Sequence, residues 1–323
     1  MRIAAFVLAS LIAAPAWAAT PQDLSDCNSK YGQEAALACT RVIDDKSSPS
    51  GALDQAFFNR ALSYEIIGLI PEAMSDANES IRRQPNDATG YTVRGKVYQD
   101  QQEFERSLAD FNQAIRLNDR SSLTYAWRGL SYFYMRDSAR AIEDFDAALR
   151  IDPKYKEAYW DRGQAHEVAD DAKAAIADYS KLIELEPNSV RGYVRRAVVF
   201  IRLGDTAHAI EDASAVMRFE PSNAAALGVR ADAYAAKGDY ERAIDDYSAA
   251  IHFAPEYVLY VQRGIAYRLK GDRDRAIDDL YKAINVRPLA SDDARAELKK
   301  LGVEVPANRE AVPPGKTLLD VLK

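Results

Sequence analysis

The apolar and small residues of this chain recur with a period of 34 residues. Prolines mark one position of the repeat: Pro85, Pro153, Pro187, Pro221 and Pro255 lie 34 residues or twice that number apart, and Pro288 follows one residue early. Within each unit, apolar residues spaced by three, four and seven positions share one face of a helix. The pattern predicts seven two-helix units between residues 54 and 290.

Each unit contains two helices whose contact faces are defined by side-chain size. In the first helix, a large residue is followed four positions later by a small one. The large residues are Phe57, Tyr91, Tyr125, Tyr159, Tyr193, Leu227 and Tyr260, and the small ones are Ala61, Gly95, Gly129, Gly163, Ala197, Ala231 and Gly264. Small residues allow two helices to pack closely. Between the helices, Gly204-Asp205 and Gly238-Asp239 predict a left-handed helix end followed by an N-cap.

These columns and this period resemble the tetratricopeptide repeat. The resemblance covers residues 54–290 and implies an all-α fold, an α-solenoid of seven helical hairpins wound as a right-handed superhelix. Residues 19–53 resemble a degenerate repeat that caps the N-terminal end. Residues 291–302 predict a polar helix that caps the C-terminal end, because the last hairpin of a stack has no neighbour. The prolines and glycine within residues 303–323 predict an extended or mobile tail.

Two charged columns are present in all seven units. The arginine column consists of Arg60, Arg94, Arg128, Arg162, Arg196, Arg230 and Arg263. The aspartate column consists of Asp76, Asp110, Asp144, Asp178, Asp212, Asp246 and Asp279. In an antiparallel hairpin the two columns lie nearly level, so the sequence predicts structural ion pairs within a hairpin or between neighbouring hairpins. The alternative is a basic track for an acidic ligand, although an equal number of aspartates would neutralise it.

The same resemblance implies that the first helices line a concave groove. The apolar residues predicted to face this groove are Phe58, Leu62, Leu130, Phe133, Tyr134, Trp160, Val194, Val198, Ile201, Val261 and Ile265. An apolar groove suits an amphipathic helix or an extended peptide, so these residues form the candidate binding site for a partner protein. The alternative is that some of them fill contacts between adjacent first helices.

The N-terminal residues have the pattern of a secretory signal peptide. A basic start at Arg2 precedes an apolar stretch and a small-x-small cleavage sequence that ends at Ala18. We expect residues 1–18 to be removed on export, most simply to a bacterial periplasm. In an oxidising compartment Cys27 and Cys39 predict a disulfide, which in the degenerate repeat would link two facing helices. The alternative is a pair of free buried thiols.

Composition narrows the range of functions. The chain has 323 residues, of which 48% are hydrophobic, and a net charge of -7, whereas nucleic-acid binding requires a basic stripe. No segment after the signal peptide offers the ~18 consecutive apolar residues of a membrane span. Two cysteines and three scattered histidines do not form a metal site, and no catalytic motif accompanies them. The sequence predicts a non-enzymatic scaffold without cofactors that binds a partner protein; self-association without a separate partner is the alternative.

Overall fold

A computed structural model describes residues 18–288 and 291–305 of the chain. This part contains seventeen α-helices and no strand, which confirms the predicted all-α class. The predicted signal sequence up to residue 17 and the predicted tail from residue 306 lie outside the described residues.

The helices follow one another in pairs. The N-terminal pair consists of α1 (Pro21–Ser29) and α2 (Gly32–Asp44). The first helices of the seven hairpins are α3 (Ser50–Ile66), α5 (Ala88–Asp100), α7 (Ser122–Tyr134), α9 (Lys156–Val168), α11 (Val190–Arg202), α13 (Ala224–Ala236) and α15 (Tyr257–Lys270). The second helices are α4 (Ile70–Arg83), α6 (Phe104–Leu117), α8 (Ser138–Ile151), α10 (Ala172–Leu185), α12 (Thr206–Phe219), α14 (Tyr240–Phe253) and α16 (Arg273–Val286), and α17 (Asp292–Lys300) comes last.

The chain divides into two compact units, one ending at Ala165 and the other beginning at His166. Within each unit, consecutive helices pack against each other, as α5 and α6 do in unit 1 and α13 and α14 do in unit 2. First helices of consecutive hairpins also touch, as α3 and α5 do in unit 1 and α11 and α13 do in unit 2. Among the helices between residues 21 and 300, none has the length and hydropathy needed to cross a membrane.

In five of the seven hairpins, the third to the seventh, the turn combines a left-handed residue with an aspartate N-cap. Gly204, Gly238 and Gly271 have φ angles of 78°, 84° and 91°, a region that costs glycine little. The next residue is an aspartate whose side chain accepts a hydrogen bond from a backbone N–H of the second helix, as Asp205 and Asp239 do. Non-glycine residues take the left-handed position elsewhere: Gln102, Arg136 and Asp170.

Close packing between the two helices of a hairpin depends on the small column. A Cβ atom added to Gly95 would lie 2.8 Å from the ring of Phe111, and one added to Gly129 would lie 2.9 Å from the ring of Phe145. Both phenylalanines are fully buried. The second helix therefore seats its ring directly on the backbone of the first helix, which requires glycine at these positions.

The N-terminal end is held by a disulfide. Cys27 on α1 and Cys39 on α2 are bonded to each other, with their Cα atoms 4.8 Å apart. Both are buried beside Val42 and Ala56, so the pair connects to the first complete hairpin. The predicted disulfide is confirmed. A bond that closes so short a loop stabilises a fold by about 3 kcal/mol in the chain-entropy model.

The C-terminal end is covered by α17. Ala294 and Leu298 on this helix are fully buried against Leu280 and Ile284 of the last hairpin. The same cluster includes Val261, which is only 4% exposed. The prediction that Val261 faces an open groove is therefore wrong, because α17 and the last hairpin enclose its side chain.

Candidate protein-binding face

The arginine and aspartate columns meet within each hairpin. In the third hairpin, Arg128 donates from Nε to Asp144 Oδ2 at 2.8 Å and from Nη2 to Asp144 Oδ1 at 2.6 Å. The same two-point contact joins Arg60 to Asp76, Arg94 to Asp110, Arg196 to Asp212, Arg230 to Asp246, and Arg263 to Asp279. Arg162 and Asp178 belong to different compact units, so their pairing stays a prediction.

A third hydrogen bond extends each arginine to the preceding hairpin. The Nη1 atom of Arg128 donates to Asn112 Oδ1 at 2.7 Å, and Arg196 Nη1 donates to Ser180 Oγ at 2.7 Å. The other acceptors of this bond are Thr40, Asn78, Asp146, Ser214 and Ser248. Each arginine thus joins its own hairpin to the second helix of the hairpin before it.

The environment of these pairs keeps the arginines charged. Asp144 is 4% exposed; burial raises the pKa of its carboxyl, and the hydrogen bonds and charge of Arg128 act in the opposite direction. For Arg128, burial alone would lower the pKa, but the hydrogen bonds and charge of Asp144, together with Tyr132 and Tyr125, outweigh burial and the pKa is raised. The guanidinium also lies over the ring of Tyr125, 5.5 Å from its centroid. These arginines are consequently occupied by internal partners and do not form a free basic track.

Within each unit, the first helices also present surface to solvent; we call this solvent-facing surface of the first helices the first-helix face. The predicted groove residues Phe58, Leu62, Leu130, Phe133, Trp160, Val194, Val198, Ile201 and Ile265 are half-buried there, and Tyr134 is 55% exposed. Phe58 and Leu62 pack partly against the buried cluster that contains Ala61 and Ala73 of the first hairpin. Leu130 and Phe133 pack partly against the buried cluster of the third hairpin. Most of these side chains therefore fill contacts within the stack and still present part of their surface.

Of the eleven exposed large hydrophobic residues in the described part of the chain, most lie at helix ends: six at the ends of first helices and three, Ile151, Phe253 and Val286, at the ends of second helices. The six at or next to the C-terminal end of a first helix are Ile66, Tyr134, Met135, Val168, Leu203 and Leu269. Their exposed fractions range from 38% to 57%. We call this set of six residues, three in each unit, the apolar row. Apart from Tyr134, sequence reasoning missed them, because they lie just beyond the positions that periodicity assigns to the core.

Polar contacts between hairpins occupy part of the first-helix face in unit 1. Lys96 donates to Glu65 at 3.0 Å and to Asp100 at 2.5 Å. Burial alone would lower the pKa of Lys96, but Asp100 and Glu65 outweigh it and the pKa is raised. Gln99 donates to Ser131 Oγ at 2.8 Å. The second hairpin is therefore a charged, internally paired section between the apolar first and third hairpins.

In unit 2 the first-helix face carries two acidic residues in contrasting surroundings. Glu167 accepts a hydrogen bond from Tyr179 Oη at 2.5 Å and forms an ion pair with Arg195 Nη2 at 2.8 Å. The cation that reaches Glu167 thus comes from the next hairpin. Asp232 also accepts from a tyrosine, Tyr247 Oη, at 2.5 Å. No arginine or lysine of the described residues forms an ion pair with Asp232.

His208 is held by contacts within its own hairpin. His208 follows the N-cap Asp205, whose carboxylate lies 2.6 Å from the ring Nδ1, and its ring stacks on Phe200. Its pKa is raised by the hydrogen bond to Asp205. Within the described residues, no cluster of three or more His, Cys, Asp or Glu side chains is arranged to hold a metal ion.

Consecutive helical hairpins with a recurring core define a helical-repeat protein. Two family models, both described as tetratricopeptide repeat, match the sequence: one at residues 128–190 and 194–258, the other at residues 88–120 and 257–288. Together these segments cover more than half of the chain. The chain belongs to the tetratricopeptide repeat family. No curated protein matches it.

Solved structures share the fold. A tetratricopeptide repeat protein from Parabacteroides merdae matches with a TM-score of 0.58 and 20% identity, over 77% of this chain and 99% of that protein. YrrB, described as a TPR protein with an unusual peptide-binding site, matches with a TM-score of 0.51 and 22% identity, over 60% of this chain and 97% of YrrB. The Cut9–Hcn1 hetero-tetramer of APC/C matches with a TM-score of 0.60 and 15% identity, over 86% of this chain and 54% of the matched chain. This fold supports a protein–protein interaction scaffold, and its members are typically not enzymes.

Proposed function

We propose that this protein is an exported scaffold whose first-helix face binds a segment of a partner protein. The observation that carries the proposal is the apolar row. Exposed apolar side chains that lie near one another mark interaction sites, whereas isolated exposed apolar residues are normal on a protein surface. In unit 1, Ile66, Tyr134 and Met135 lie at the ends of first helices that also carry half-buried apolar side chains. In unit 2, Val168, Leu203 and Leu269 lie at the corresponding ends.

The chemistry of the first-helix face favours a polypeptide over a small molecule. Its residues present apolar patches separated by paired charges such as Lys96 with Glu65, an arrangement that suits a helix or an extended segment in contact with several hairpins. YrrB, which has the same fold, is described as having an unusual peptide-binding site. The similarity to YrrB concerns the fold, so the use of the same surface is our proposal.

Export is supported by two independent features. The N-terminal sequence has the pattern of a signal peptide, and the Cys27–Cys39 disulfide is of the kind that persists in oxidising compartments. Cell fractionation followed by intact-mass measurement tests this part. We expect a periplasmic protein that begins near Ala19 and is two hydrogens lighter than its reduced form. Cytoplasmic protein with the N-terminus retained would contradict it.

Site-specific photocrosslinking in the producing cells tests the binding face. A photoreactive residue at Tyr134, 55% exposed at the end of α7, should give adducts with a second protein. The same residue at Ile151, 38% exposed at the end of α8 in the same hairpin, is the matched control and should give few adducts. Equal yields at both positions would contradict the proposed face. Adducts containing only this chain, together with sedimentation as a dimer, would favour self-association.

A further inference from the structure

Asp232 departs from its column on the first-helix face. The residues at the same place in the seven hairpins are Leu62, Lys96, Leu130, Gln164, Val198, Asp232 and Ile265. Asp232 is the only acid among them and is half-buried on α13. Its Oδ1 atom accepts the hydroxyl hydrogen of Tyr247 at 2.5 Å. The described residues supply no hydrogen bond to its Oδ2 atom, which is not sealed from solvent.

The comparison with Glu167 shows what Asp232 lacks. Both acids accept a tyrosine hydroxyl, from Tyr179 and Tyr247 respectively. Glu167 is also neutralised by Arg195 of the next hairpin, at 2.8 Å. The residue that corresponds to Arg195 in the hairpin after Asp232 is Gln262. The site of Asp232 therefore has the anion and its tyrosine partner but not the cation.

The surroundings of Asp232 are apolar. Its neighbours on α13, Val229 and Ala233, pack with Val194 and Val198 of the preceding hairpin. A partly buried carboxylate without a counterion is costly for a fold, and burial raises the pKa of Asp232. A long side chain with an aliphatic stem and a charged end would complement both features, because its stem covers apolar surface while its charge meets the carboxylate.

We propose that Asp232, held by Tyr247 on a helix whose Val229 and Ala233 pack with Val194 and Val198, binds a lysine or arginine side chain of the partner segment. This inference rests on the proposed function, because it names the chemistry of the segment that the first-helix face binds. The partner's cation would pair with Asp232 as Arg195 pairs with Glu167. A cluster of Asp232, Tyr247 and a cation would then repeat, between two chains, the ion pair that the fourth and fifth hairpins build within unit 2.

An array of random peptides with acetylated N-termini, probed with the full-length oxidised protein, tests the inference. Acetylation removes the terminal amine, so any preference for a cation comes from side chains. We expect the peptides that bind to be enriched in lysine or arginine. We expect the Asp232→Asn variant to bind peptides without this enrichment, and the matched variant Glu167→Gln to retain it.

Titration of the best peptide then measures the contact. Replacing its critical lysine by glutamine should weaken binding to the wild-type protein by about tenfold to a hundredfold, the range for a hydrogen bond to a charged group. The two peptides should bind Asp232→Asn equally. Enrichment that persists in Asp232→Asn, or binding peptides without a basic preference, would overturn the inference and leave the proposed function intact. An array on which the wild-type protein binds no peptide would overturn both.

Discussion

The arginine–aspartate pairs and the first-helix face use charge in different ways. In the pairs, the same two residue types recur in every hairpin, and in six hairpins each arginine reaches its own aspartate and the preceding hairpin. On the first-helix face, the residue type changes from hairpin to hairpin, from Leu62 to Lys96 to Asp232. In these six hairpins the arginine and aspartate side chains are held by internal contacts. The first-helix face instead retains exposed apolar groups and Asp232, with which no lysine or arginine of the described residues forms an ion pair.

The contrast indicates that a repeat protein can assign stability and recognition to different residue columns. A contact that every hairpin needs has to recur, because each interface between neighbours poses the same packing problem. A partner segment has no such period, so the residues that recognise it are free to differ between hairpins. Charges that follow the repeat are therefore expected to stabilise the fold, and charges that depart from it are expected to contribute to specificity.

The largest effect is expected from Arg128→Ala. The substitution leaves the buried Asp144 without its cation, which typically costs about 3–5 kcal/mol in the free energy of unfolding. Urea denaturation followed by circular dichroism measures the loss. Arg140→Ala is the control, because Arg140 pairs with Asp137 at the exposed surface, and its effect should be much smaller.

A double substitution separates the charge from the packing. Because isosteric apolar groups can replace a buried ion pair at little cost, Arg128→Met combined with Asp144→Leu should recover much of the stability that Arg128→Ala loses. A double variant that is as unstable as the sum of its two single variants would show that Arg128 and Asp144 do not interact.

The next effect is expected from Gly129→Ala in the small column. The added methyl group would lie 2.9 Å from the ring of Phe145 and 3.2 Å from the carbonyl oxygen of Ala141, so overpacking should lower the free energy of unfolding by about 1–3 kcal/mol. Gly51→Ala is the control, since its methyl group would meet nothing within 4 Å. Thermal unfolding should rank Gly129→Ala well below Gly51→Ala; equal melting temperatures would argue against tight seating of the ring.

A smaller loss is expected from Asn112→Ala. This substitution removes the acceptor of the Arg128 Nη1 hydrogen bond but leaves the pair with Asp144 intact. A single hydrogen bond to a charged group that can still meet water contributes about 1 kcal/mol. Urea denaturation should show this loss in Asn112→Ala and a smaller one in Gln113→Ala, whose partner Arg116 is exposed. No loss in Asn112→Ala would mean that the bond between hairpins adds nothing to the pair.

The smallest change in the free energy of unfolding is expected from Asp232→Asn. Unlike the other substitutions, it should not destabilise the protein at neutral pH. Because the folded-state pKa of Asp232 is raised above its ordinary value of 3.8, the folded protein binds this proton more tightly than the unfolded chain. Stability from this group therefore falls as the pH rises through the raised pKa, and it stays lower at neutral pH. Asp232→Asn should be at least as stable as the wild type at pH 7, with no advantage at pH 3.

Glu167→Gln is the matched variant for that measurement. It weakens the contact with Arg195, so its free energy of unfolding at pH 7 should decrease. Chemical denaturation of both variants at the two pH values gives the comparison. An Asp232→Asn variant that is clearly destabilised at pH 7 would show that the carboxylate is retained for stability.

Much of the fold could be predicted because it repeats. The columns of large and small residues predict the hairpins. The arginine and aspartate columns, to which Arg128 and Asp144 belong, recur in every unit and predict that the two side chains of a hairpin lie side by side. The third bond of each arginine could not be predicted, because its acceptors are Thr, Asn, Asp or Ser side chains that form no column of one residue type. The hairpin turns at Gln102 and Arg136 likewise lack the glycine that signals a left-handed residue.

The candidate site was less predictable, because it depends on positions that depart from the repeated residue pattern and on the end of the array. Val261 occupies a groove position by periodicity, but α17 packs over it, and nothing in the period indicates how a final helix docks. Asp232 stands in a column of mixed residues, and the sequence does not show that Arg195 pairs with Glu167 whereas no lysine or arginine of the described residues pairs with Asp232. Leu203 follows the end of α11, outside the helical pattern that defines the face.

The affinity of the crosslinked partner for two surface variants is the decisive test of binding through the first-helix face. Tyr134→Ser changes the apolar row, and Ile151→Ser changes an exposed residue of the second helix in the same hairpin; both should leave the free energy of unfolding nearly unchanged. Calorimetric titration should show at least tenfold weaker binding for Tyr134→Ser and unchanged binding for Ile151→Ser. Unchanged affinity for Tyr134→Ser, or an equal loss in both variants, would contradict binding through the first-helix face.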